Sequence, residues 1–68
     1  SINVNQTNMN DIQKLEFKIA QVEARIYTWK RKVTILEIDP YTDEIETDKM
    51  LDEISKLKYR IEELKKKK

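Results

Sequence analysis

The apolar residues of this chain recur at alternating spacings of three and four, and that repeat limits its fold more than any other feature. From Ile12 they fall at Leu15, Ile19, Val22, Ile26, Trp29, Val33 and Leu36, four heptads without a break. A second run follows at Thr47, Met50, Ile54, Leu57, Ile61 and Leu64. A mean period of 3.5 places these side chains on one stripe of a helix, whereas a half-buried strand needs a period of two. The repeat therefore predicts two amphipathic helices, with Ile12, Leu15, Ile19, Val22, Ile26, Trp29, Val33, Leu36, Met50, Ile54, Leu57, Ile61 and Leu64 forming a shared core.

Between the two runs stands the only proline, within Asp39-Pro40-Tyr41-Thr42-Asp43. Proline is excluded from helix interiors, and Asp and Thr favour turns and caps. The expected boundaries are a helix over 11–38, a turn over 39–43 and a helix over 44–66. Thr42 or Asp43 is the expected cap of the second helix, and Asp39 capping a helix that begins at Pro40 is the competing reading. Residues 1–10 are rich in Asn and lack helical periodicity, so they read as a flexible lead-in, with Asn10 and Gln13 placed as a capping box. Two similar helices with a short polar link fold most simply into an antiparallel hairpin. The expected class is all-α, an antiparallel two-helix coiled-coil hairpin completed to a helical bundle by oligomerisation. One long helix broken at Pro40 is the structural alternative.

Charge placement supports the fold-back independently. The first helix carries Arg25, Lys30, Arg31 and Lys32 toward its end, and residues 39–53 carry seven carboxylates against one lysine, Lys49. Folding at Pro40 brings these blocks together and places Glu16 and Glu23 near Lys65 and Lys58. The register is open at this stage, with Arg25 meeting either Glu53 or Arg60.

Size and composition then exclude most chemistry. A chain of 68 residues forms one domain at most and buries too little apolar surface to be comfortable alone. Cysteine and histidine are both absent, which rules out disulfides, thiolate or imidazole metal sites and the common nucleophile pairs. The acidic stretch near the turn lacks the glycine of a calcium loop, so no metal and no cofactor are expected. Catalysis is not expected either, because two helices cannot easily enclose a pocket. The net charge is +1, and no apolar run reaches the length of a membrane span. Lack of cysteine leaves the compartment open, since it fits a reducing cytosol, slightly favoured, as well as many extracellular coiled coils. A start at Ser1 fits a fragment or a trimmed chain, and the bias toward Lys, Ile, Asn and Glu fits an AT-rich genome of a phage or low-GC bacterium. Asn5-Gln6-Thr7 matches a glycosylation sequon, a very weak motif here.

The most informative functional signal is a second stripe. Phe17, Ala20, Ala24 and Tyr27 recur at three, four and three on the side of the first helix away from the heptad seam, with Ile35 and Ile38 near its continuation. Aromatic residues bracketing two alanines make a notch suited to another helix. Trp29 falls on the seam and is expected to pack against Met50 or Ile54. Leu51 and Tyr59 lie off the second seam and extend a possible interface, and Tyr41 lies in the turn. The run Lys65, Lys66, Lys67 and Lys68 is the one candidate anion-binding feature, although cations there also complement the helix dipole. The expected function is a non-enzymatic interaction module that self-associates, with a dimer favoured, or binds a larger protein as assembly element, adaptor or small inhibitor. The alternatives are an accessory that binds nucleic acid or anionic membrane through the basic end, and a coiled-coil segment of a longer structural protein. Neither nucleic acid nor membrane is the expected partner.

Overall fold

The computed structural model describes residues 4–66, with side chains over residues 10–66. Two helices account for it, α1 (Val4–Leu36) and α2 (Pro40–Lys66), packed against each other as a hairpin. The described residues contain no strand. The hairpin is a flat rod with extents of 53 × 19 × 8 Å. Its radius of gyration is 16.0 Å, against about 11 Å for a compact domain of this length.

α1 starts at Val4, so Asn10 and Gln13 lie inside the helix and do not form its expected capping box. The first ten residues are thus helical from Val4 onward. Asn costs only some tenths of a kcal/mol relative to better helix formers, and once the periodic segment has nucleated, each added residue needs only propagation. No Gly or Pro stands in the way.

The reversal occupies residues 37–39, shorter and earlier than the expected 39–43. α1 ends by a Schellman-type closure in which the Ile38 N–H donates to the Val33 carbonyl at 3.0 Å. Glu37 holds the left-handed conformation this closure needs, with φ of 54°, a place usually filled by glycine. Pro40 then opens α2, where its fixed φ suits the first turn and its missing N–H loses nothing. Asp39 is the cap. Its Oδ2 accepts the Thr42 N–H at 2.9 Å and its Oδ1 accepts the Thr42 hydroxyl at 2.7 Å, while its carbonyl accepts the Asp43 N–H at 3.0 Å. The competing reading of the cap is the one the structure adopts, and Thr42 and Asp43 lie within the first turn.

The seam is continuous. Val22, Met50, Ile54 and Ile61 are buried, and Ile19, Ile26, Trp29 and Leu57 pack around the central three of Val22, Met50 and Ile54. Ile12, Leu15, Val33 and Leu64 are half-buried. Leu36 departs from the expected core, being 64% exposed, while Ile38, expected on the outer stripe, is half-buried. The cause is the reversal. Past Leu36 the chain no longer follows helical periodicity, and the residue after the left-handed position folds back toward the last turn, where Val33 lies.

Arg25 Nη1 meets Glu53 Oε1 at 3.3 Å, which settles the register. Lys30 meets Asp43 at 3.0 Å, so the charge blocks beside the turn do come together. At the open end the expected pairs do not form. Lys65 is paired with Glu62 on its own helix at 3.9 Å, and among the described residues neither Glu16 nor Glu23 makes an ion pair across the seam. Exposed lysines gain little by bridging helices that already have neighbours three or four residues away.

Relief of the left-handed strain gives a direct check. Glu37→Gly should stabilise the hairpin by about 0.5–1 kcal/mol, the strain removed exceeding the chain entropy that glycine adds. Glu37→Val should destabilise it. Urea unfolding followed by circular dichroism measures both.

Candidate interaction surface

Two constellations emerge from this frame, one inside the seam near the turn and one on the back of α1. The first is centred on Asp43. Its Oδ1 accepts the Trp29 indole N–H at 2.8 Å and the Thr47 hydroxyl at 3.0 Å, and Lys30 Nζ donates to both oxygens at 3.0 Å. Trp29 and Thr47 occupy seam positions, so Asp43 satisfies the polar atoms that the seam carries at this level. Trp29, expected against Met50 or Ile54, packs on the core cluster that contains both together with Val22. The partner of its N–H was missed. The available signal was Thr47, a polar residue in an apolar repeat four residues after an aspartate.

The Lys30 ammonium, ahead of the Trp29 and Thr47 donors, holds the Asp43 carboxyl below its ordinary 3.8, while desolvation opposes it. The Asp39 carboxyl is lowered as well, first by the Thr42 hydroxyl and then by the Thr42 amide. Both groups favour the folded state when ionised, so their stabilisation is complete above the ordinary carboxylate value and is lost as pH falls through the lower folded-state values. Among the described residues no side-chain polar atom is buried without a partner, and no group of carboxylates is placed to hold a metal ion.

The back of α1 is the second constellation. Phe17 is 65% exposed and Tyr27 66%, and Ala20 and Ala24 between them are exposed too. Ile35, at 70%, lies further toward the turn with Arg31 between it and Tyr27, whereas Ile38 leaves the strip. No charged side chain interrupts the line from Phe17 to Tyr27. Beside it runs an open groove of about 430 Å³ in which Ala24, Thr28, Trp29 and Met50 are joined by the charged side chains of Arg25, Lys32, Glu46, Lys49 and Glu53. The outer face of α2 differs. Tyr41, Leu51 and Tyr59 are exposed there, but Asp48, Asp52 and Ser55 separate them.

At the basic end, Lys65 and Lys66 are exposed and lie near Glu62 and Glu63; Lys67 and Lys68 lie outside the described residues. The sequon residues lie within α1. No helix is long and apolar enough to cross a membrane among the described residues. Comparison with protein-family models, with curated proteins and with solved structures finds no match to this chain.

Trp29 is the only tryptophan, so its emission reports on Asp43. In acid titration the emission should change, and the urea midpoint fall, only below the ordinary carboxylate value of 3.8. Asp43→Asn should flatten its share of that dependence and shift the emission already at neutral pH.

Proposed function

We propose that this chain is a non-enzymatic protein–protein interaction module whose coiled-coil hairpin self-associates through the back of α1, two copies completing a four-helix bundle. Its role in this reading is that of an assembly element, and the same surface would serve an adaptor or a small inhibitor of a larger protein. The observation that carries the reading is the exposed, uncharged line of Phe17, Ala20, Ala24 and Tyr27 on a helix whose other face is already used.

Exposed area supports it. The chain exposes 5736 Å², where a compact monomer of its mass exposes about 4,500 Å². The excess exceeds the roughly 800 Å² that each partner contributes to a standard interface. Two alanines allow close helix approach, and the flanking aromatics supply large rigid anchors. The non-enzymatic part of the reading rests on the placement of ionisable groups: among the described residues none is buried, and Asp43, the carboxylate drawn into the seam, has its oxygens taken by Trp29, Thr47 and Lys30.

Light scattering on the wild type and on the double variant Phe17→Glu, Tyr27→Glu tests this reading. The wild type should give a dimeric or larger mass, and the variant a monomeric one. A monomeric wild type at high micromolar concentration overturns the proposal.

A further inference from the structure

The interface stripe and the charge distribution together specify how a second copy sits. We infer that two copies pair with their α1 helices antiparallel, about a two-fold axis at the level of Val22. This rests on the self-association proposed above and goes beyond it by assigning the geometry.

The stripe is the first observation. Its spacings of three, four and three read the same from either end, so a half-turn about an axis between Ala20 and Ala24 maps the stripe onto itself. Two-fold interfaces must be self-complementary in this sense. Ala20 then lies against the second copy's Ala24, where the backbones approach most closely, and Phe17 lies beside the second copy's Tyr27. A parallel pair would be satisfied by any stripe at all, and gains nothing from the palindrome.

Charge is the second observation, and it separates the two orientations. Arg25 opposite Glu53 sets the register. Along the rod, residues 22–53 carry a net charge of −4 and the other described residues, 4–21 and 54–66, a net charge of +3. That gradient is carried by α2, which lies across the seam from the stripe, about 18 Å from the second copy's α1. The charges near the contact are those of α1. Of its residues 22–36, Arg25 and Lys30 are paired across the seam, which leaves Arg31 and Lys32 against Glu23. Residues 4–21 carry Lys14 and Lys18 against Asp11 and Glu16, a net charge of zero. A parallel pair sets Arg31 and Lys32 beside their own copies, like against like. The antiparallel pair lays them along the second copy's residues 4–21, where charge balances. Screening limits such forces to about 8 Å at physiological ionic strength, which is the reach of charges on the two contacting helices. Charge on α1 therefore favours the antiparallel direction.

Spin labels distinguish the cases, and the absence of cysteine lets each label stand alone. Thr34→Cys lies twelve residues from the axis and Gln13→Cys nine. At about 1.5 Å per residue, the antiparallel pair separates the two Thr34 labels by about 36 Å and the two Gln13 labels by about 27 Å along the helix. A parallel pair keeps both distances under about 20 Å, near the spacing of adjacent helices plus the label arms. Pulsed electron resonance should return the two long distances, in that order. Short distances at both sites in a confirmed dimer overturn the antiparallel assignment and leave self-association standing. A monomer, with no intermolecular distance, overturns both. Long distances that persist in the dimer formed by a Phe17→Glu, Tyr27→Glu background overturn the assignment to this stripe.

Discussion

Glu37 in the left-handed conformation and Asp39 capping the first turn of α2 reverse the chain within three residues, and the seam exists because of that reversal. The two halves of the turn do different work. The Ile38 to Val33 hydrogen bond closes α1 at Leu36, while the Asp39 cap satisfies donors at the start of α2 that would otherwise face water or nothing. Proline between them makes continuation of α1 through this point unfavourable. A strained non-glycine residue is tolerated because both helices are held on either side of it.

A two-helix hairpin has only one seam, and this determines what the rest of the surface must do. Among the described residues four are buried to the level of a true core, Val22, Met50, Ile54 and Ile61. Polar demands inside the seam are met locally, with Asp43 taking the Trp29 and Thr47 donors and Lys30 compensating its charge. Among the described residues, exposed apolar side chains stand on the outside of both helices, and on α1 they include the unbroken line from Phe17 to Tyr27. The contrast with α2, whose outer aromatics are separated by Asp48, Asp52 and Ser55, makes the bare face of α1 a property of that helix in particular.

Much of this was legible in the sequence because a period of 3.5 depends only on which residues are apolar. Every seam residue from Ile12 to Val33 and from Met50 to Leu64 is at least half-buried. Failures cluster where periodicity stops governing the backbone. Leu36 and Ile38 exchange roles because the Schellman closure, which no glycine announced, rotates the chain between them. Asp39 and Asp43 both suit a cap, and pattern alone does not say that proline begins α2, which leaves Asp43 to reach across to Trp29. The early start of α1 was hidden because Asn disfavours helix only weakly. On the outer surface the stripe itself was readable, and the structure adds its exposure, the loss of Ile38 from it and the charge gradient along the rod. Whether a copy of the chain covers it is a matter of association, which the fold of one chain does not encode.

The central claim is that the hairpin is completed by association through α1, and concentration tests this most directly. If folding is linked to pairing, mass action raises the thermal midpoint with protein concentration. The account predicts that the unfolding temperature, followed at the helical band by circular dichroism, climbs by several degrees over about two decades of concentration and loses that dependence when Phe17 and Tyr27 become Glu. A midpoint that stays fixed across the same range for the wild type would show that the hairpin is complete by itself and would contradict the account.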